Sequence, residues 1–200
     1  ALLLQGIVAR TREQHEQAES LYTQAWEYAP DNYQVKAFLA PLWASWGRTL
    51  LLNNEPEEAS RWLNKAFQVN ETNPNVLFDL GVLASQESDD RRAIQLYTKT
   101  LDEFPDWPQG ITVKFNLGLS HYRMESYVQA VQLFQQVARA EPSSVNAHFN
   151  LANSLAKTGK YEEASLHYRT VLRLAPDHQQ AQDNYVEIIK WVKPQEDNAS

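Results

Sequence analysis

Residues 115–142, FNLGLSHYRMESYVQAVQLFQQVARAEP, return 34 residues later as FNLANSLAKTGKYEEASLHYRTVLRLAP at 149–176. Related phrases stand at 78–105, at 44–71 and, more faintly, at 3–30. Two columns of small residues fix the register: Gly6, Gly47, Gly81, Gly118 and Ala152, followed twelve residues on by Ala18, Ala59, Ala93, Ala130 and Ala164. Both columns step by 41, 34, 37 and 34, so the extra residues fall between copies and never inside one. A period in this range marks stacked supersecondary units, each too small to bury its apolar face without its neighbours.

Each copy reads as two helices. In the last, Phe149, Leu151, Ala152, Leu155 and Ala156 mark a first helix that Gly159 breaks; Tyr161, Ala164, Tyr168, Val171 and Leu172 follow at 3–4 spacing until Pro176. The small columns then have a physical cause, because paired helices approach closely only where one side lacks bulk and larger side chains pack around the crossing. No sustained period-2 run supports a strand. Residues 33–39 extend the first helix of the second copy, with Pro41 expected to kink or restart it. WPQG at 107–110 lengthens the loop before Ile111, and AQDNYVEIIKWV supplies one more helix after Pro176.

Taking each copy as 34 residues, the last two carry a small residue at the eighth place (Gly118, Ala152), an aromatic at the seventeenth (Tyr127, Tyr161) and Ala at the twentieth (Ala130, Ala164). An aromatic stands at the twenty-fourth (Phe134, Tyr168) and Pro at the thirty-second (Pro142, Pro176). This pattern resembles the tetratricopeptide repeat, and it runs over most of the chain. The earlier copies depart from it, with His15, Pro56 and Asp90 at the seventeenth place and Glu71 in place of the final Pro of the second copy.

The resemblance implies an all-α, right-handed α-solenoid of about five helix-turn-helix repeats whose first helices line a concave groove. The repeats are expected at about 1–32, 40–73, 74–107, 111–144 and 145–178, with a capping helix over 179–192 and a flexible tail over 193–200. The cap would cover the last repeat's open face, as solenoid ends require. The chain begins at Ala1, and its single Met is Met124, so it reads as a fragment of a longer protein.

Catalysis finds little support in the residues. His15, His121, His148, His167 and His178 occupy different places in the repeat and none has metal-ligand spacing, so His121 reads as a packing residue. No phosphate-binding, dinucleotide-binding or nucleophile-elbow motif occurs. Paired acids such as Asp89–Asp90 and Glu162–Glu163 fall at helix beginnings, where carboxylates complement the dipole. We therefore expect no enzyme activity and no cofactor or metal in this chain.

A net charge of −7 is the wrong sign for nucleic acid phosphates or an anionic membrane surface. The opening ALLLQGIVA is too short and too interrupted to span a bilayer. The absence of cysteine excludes disulfides and thiolate metal sites but does not separate cytoplasm from periplasm, so the compartment is left open between a cytoplasmic and a periplasmic location.

Function is therefore sought on the groove. The second, fifth, sixth, ninth and thirteenth places of each first helix share one face by helical spacing, and the resemblance turns that face inward. It would present Phe78, Asp79, Phe115, Asn116, Arg123, Asn146, Phe149, Asn150, Asn153, Lys157 and Asn184. Repeated Asn amides can donate to and accept from the backbone of an extended peptide while Phe rings supply apolar contact.

The expected function is a protein-interaction scaffold that holds an extended or helical segment of a partner. Arg48, Arg123 and Lys157 suggest an acidic segment or a C-terminal carboxylate. The family's carboxylate clamp is not matched, since the fifth places of the full copies hold Phe or Ala and only Asn153 stands at a ninth place. Two alternatives belong to other classes: a regulatory or substrate-recruiting arm of a larger enzyme, and self-association through a solenoid end or through Trp26, Trp62 and Trp107.

Overall fold

The computed structural model describes residues 1–12 and 14–192, without the side chains of residues 15 and 16. The tail expected over 193–200, and the side chain of His15, lie outside the described residues. The described residues form eleven α-helices and no strand. In chain order these are α1 (Leu2–Thr11), α2 (His15–Tyr28), α3 (Tyr33–Leu52), α4 (Pro56–Val69), α5 (Pro74–Gln86) and α6 (Asp90–Glu103). There follow α7 (Gly110–Arg123), α8 (Tyr127–Ala140), α9 (Val145–Lys157), α10 (Tyr161–Leu174) and α11 (Gln179–Ile189).

The chain divides into two compact units at the turn between α5 and α6, inside the third sequence copy. In the first unit, α1 to α5, each helix packs on the next along the chain, and α3 also touches α5. In the second, from Ser88, the same succession runs from α6 to α11. Packing between chain neighbours is the mark of an α-solenoid, and the fold class is the one the repeats require.

The small columns lie at the helix crossings. A Cβ built on Gly6 would come within 2.5 Å of the Tyr22 ring, one on Gly47 within 2.5 Å of Leu63 Cγ, and one on Gly118 within 2.8 Å of the Phe134 ring. Tyr22, Leu63 and Phe134 all stand at the twenty-fourth place, so the eighth place is kept small by the side chain that packs over it. Ala18, Ala59, Ala93, Ala130 and Ala164 are fully buried.

The turns inside the last four repeats share one conformation. Asn54, Ser88, Glu125 and Gly159 all stand at the fifteenth place and have φ of 63°, 64°, 59° and 78°. The next residue then bonds back to the preceding helix: the N–H of Glu55 donates to Leu50 O at 2.9 Å, that of Ser126 to His121 O at 2.8 Å and that of Lys160 to Leu155 O at 3.0 Å. Such bonds satisfy carbonyls that a helix end leaves open. Only the last copy fills this left-handed place with glycine.

Helix α3 follows the expected extension but corrects the expectation of a restart, because it runs unbroken through Pro41. Asn32 caps its start, accepting from the N–H groups of Gln34 at 2.9 Å and Val35 at 3.3 Å. Pro41 is exposed, so the Ala37 carbonyl that loses its partner is open to water. The added turns bury Val35 and Leu39 and bring Phe38 to 5.5 Å from Tyr22. WPQG does lengthen the connection, and the N–H of Gly110 donates to Trp107 O at 2.8 Å just as α7 begins.

Candidate interaction site

The face read from the sequence splits into residues bound within the protein and residues left open. Asp79 and Arg123 belong to the first group. Asp79 is buried, and its carboxylate accepts from Arg48 Nε at 2.9 and 3.2 Å while Arg48 Nη2 donates to Asn75 Oδ1 at 3.2 Å. Burial pushes the Asp79 carboxyl up to about 6, although Arg48 pulls the other way. Asp90 at the start of α6 accepts from Arg123 Nε at 2.8 Å and Nη2 at 2.6 Å, and Arg123 holds it below the usual carboxylate range.

These pairs correct two expectations. Asp79 presents no carboxylate to a ligand, and Arg48 and Arg123 already have their counter-ions, so neither is an uncompensated cation awaiting an acidic partner. Asp89 caps α6 as expected, accepting from the Arg92 N–H at 3.1 Å, but Asp90 serves an ion pair between helices.

The amides also find partners within the protein. Asn150 Nδ2 donates to Asn146 O at 2.8 Å along α9. Asn153 Oδ1 accepts from the Tyr168 hydroxyl at 2.5 Å and from Asn184 Nδ2 at 3.0 Å, tying α10 and α11 to α9. Burial drives the Tyr168 hydroxyl up to about 12, so it stays a donor. Phe149 sits between Tyr168 at 6.2 Å and His178 at 4.7 Å, and Phe115 meets Phe134 at 5.6 Å; both are half-buried, as are Phe78 and Asn116. Asn146 and Lys157 are exposed.

What remains open recurs at equivalent places. In the first unit a pocket of about 190 Å³ is lined by Pro41, Ala44, Ser45 and Arg48 of α3 with Asn73 and Asn75 at the start of α5. In the second a pocket of the same size is lined by Ile111, Thr112 and Phe115 of α7, by Val137 and Glu141 at the end of α8, and by Ser144 and Asn146 at the start of α9. Pro41 and Thr112 both hold the second place, Ala44 and Phe115 the fifth. Asn73 and Ser144 hold the thirty-fourth, and Asn75 and Asn146 the second place of the following helix. Asn73 and Ser144 also cap those helices, accepting from Asn75 N–H at 3.0 Å and Ala147 N–H at 3.4 Å.

The sequence reading missed Asn73, Glu141 and Ser144 because it scanned first helices alone, and it passed over Asn75, which stands at one of the scanned second places. The signal was available at the thirty-first and thirty-fourth places, where each second helix ends beside the next cap.

Two histidines placed apart by sequence come together. His148 Nδ1 and His167 Nδ1 lie 3.0 Å apart, and His148 Nε2 lies 3.1 Å from Pro142 O. A carbonyl accepts only, so His148 carries its proton on Nε2 and accepts at Nδ1 from His167. Burial lowers the His167 pKa, and His148 lowers it further. The pair joins α9 to α10 and makes no metal site; no group of three or more metal-ligating side chains occurs among the described residues.

The tryptophans named for self-association are largely internal. Trp62 is buried with its ring 4.7 Å from Trp46 and 6.3 Å from Trp43, while Trp26 and Trp107 are half-buried. Among the described residues no helix is long and apolar enough to cross a membrane.

Comparison with known proteins agrees with this architecture. Residues 115–179 match the tetratricopeptide repeat family. The chain is similar to the human protein O-mannosyl-transferase TMTC3, 28% identical over 145 residues, 64% of this chain and 16% of that protein. It thus spans about a sixth of the length of the curated relatives it first matches. Among solved structures it is similar to MamA of AMB-1, with TM-score 0.69 and 22% identity over 76% of this chain and 81% of that one. The APC/C hetero-tetramer Cut9–Hcn1 gives TM-score 0.69 and 20% identity over 94% of this chain and 35% of the other. At these identities the structural likeness is one of fold. The five copies of the repeat pattern agree with that match, which identifies residues 115–179 as similar to the tetratricopeptide repeat family.

Proposed function

We propose that this chain is a protein-interaction scaffold that lays an extended or helical segment of a partner across the first-helix faces of its repeats. The observation that supports this reading is the recurrence in both units of a pocket that shares four repeat places: the second, the fifth, the thirty-fourth and the second of the following helix. Within either unit such a pocket suits a ligand that is itself a chain, because one of its side chains can enter the pocket while the rest lies along the first-helix face. The exposed members of the face, Thr112, Asn146 and Lys157 in the second unit, are the contacts most accessible to such a segment. Phe115, Asn116, Phe149, Asn150, Asn153 and Asn184 would form its half-buried floor in that unit, and Phe78 is the half-buried residue of the face in the first unit.

The test is selection from a displayed peptide library against the parent and an Asn146→Ala/Lys157→Ala variant, with circular dichroism confirming equal helicity. The expected result is a peptide class enriched by the parent and lost by the variant. Equal enrichment by both would place binding elsewhere and sink the groove reading.

The resemblance to an O-mannosyl-transferase favours a second reading, in which these repeats are the recruiting arm of a larger enzyme. The same groove would then present a segment to a catalytic domain, and the full gene sequence decides between the two.

A further inference from the structure

The side chain that the second unit's pocket accepts can be read from its walls, and the answer reverses the acidic partner suggested by the sequence. Ile111, Phe115 and Val137 give this pocket of about 190 Å³ an apolar floor. At its rim stand the Glu141 carboxylate and the Asn146 amide. Glu141 is exposed and makes no ion pair among the described residues, and the Asn146 side chain makes no hydrogen bond there. Arg123 at the end of α7 is already neutralised by Asp90, which leaves Glu141 as the uncompensated charge lining this pocket.

Two helix ends compete over the sign of the field. The start of α9 favours an anion, but Ser144 Oγ already accepts from one of its free N–H groups. The end of α8 favours a cation, and Glu141 is its C-cap, so carboxylate and terminal carbonyls act together. The negative side prevails, in a chain whose net charge is −7.

We propose that this pocket takes a lysine or arginine side chain of the partner segment. The aliphatic stem lies along Phe115, Ile111 and Val137, and the cation meets the Glu141 carboxylate and the Asn146 amide oxygen. Long basic side chains bury their stems on apolar surface while keeping the charged head solvated, which is what an apolar floor with an acidic rim accommodates. This proposal rests on the scaffold reading and gives its partner a chemistry: a basic segment.

The probe is a set of four acetylated heptapeptides of serine and asparagine that differ only at the central residue: lysine, arginine, norleucine or glutamate. Titration into isotopically labelled protein should move the backbone amide signals of Thr112, Phe115, Ser144 and Asn146. Lysine and arginine peptides are expected to bind at least fivefold more tightly than norleucine, and the glutamate peptide more weakly still. Glu141→Gln should erase the preference for lysine over norleucine without moving norleucine itself, and added salt should weaken lysine binding alone.

Equal binding of lysine and norleucine, tightest binding of glutamate, no binding by any peptide, or an unaltered preference in Glu141→Gln would each overturn the proposal. If these peptides fail while the Asn146→Ala/Lys157→Ala variant still loses its selected ligands, the pocket assignment falls and the scaffold reading stands.

Discussion

Asp79 and Asp90 show how two arginine–aspartate pairs in one chain can act on stability with opposite signs. Asp79 is 4% exposed, and burial raises its folded pKa to about 6. A carboxyl raised above its unfolded value gives its full contribution below the unfolded pKa and loses it as pH climbs through about 6. Asp90 is lowered by Arg123, so its contribution is present above the unfolded pKa and fades as pH falls through the folded value. Asp79→Asn should therefore stabilise the protein at pH 7.5 by about 1 kcal/mol relative to its effect at pH 4, with Arg48 half-exposed and solvated by water. Asp90→Asn should destabilise it at pH 7.5. Urea unfolding followed by helicity at both pH values checks the pair, and an Asp79→Asn effect independent of pH would refute the account of the buried carboxylate. Neither pair was legible in the sequence, because Arg48 and Asp79 are 31 residues apart and Arg123 and Asp90 33, a spacing that only the folded stack turns into contact.

At the scale of the helix and its turn, much was legible. The small columns, the alanines and the terminal prolines located the helix pairs because each has a local steric cause: close approach or interruption. The turn after each first helix was visible only in the last copy, where Gly159 stands. Asn54, Ser88 and Glu125 hold the same left-handed place without glycine, so the need for positive φ could not be read from their identity. Pro41 misled for the opposite reason: a strong local signal for a break gives way to Val35, Leu39 and Trp43, which bury the helix on both sides of it. A side chain with a Cβ costs about 1 kcal/mol in the left-handed region, a cost that glycine lacks. Glu125 is exposed and makes no side-chain bond among the described residues, so Glu125→Gly should raise stability by about 0.5–1 kcal/mol. Thermal unfolding measures it, and a loss of stability would mean that the glutamate side chain holds the turn.

Over the whole molecule, packing between chain neighbours sets how damage should spread. Each unit is a succession of helices, so stability is close to a sum of repeat terms and nearest-neighbour terms and has no single core to lose. Gly118 supplies the probe. Its missing Cβ would lie 2.8 Å from the Phe134 ring, and Phe134 is fully buried with Phe115 against it, so the ring has little room to yield. Gly118→Ala should therefore cost about 1–3 kcal/mol, the usual penalty of overpacking a filled core. Hydrogen exchange then reads the range of the effect. Protection should fall most in α7 and α8, less in the adjoining α6 and α9, and not at all in α1 to α3. Uniform acceleration along the chain would instead mean that the repeats unfold as one cooperative body, and the nearest-neighbour description of this solenoid would have to be abandoned.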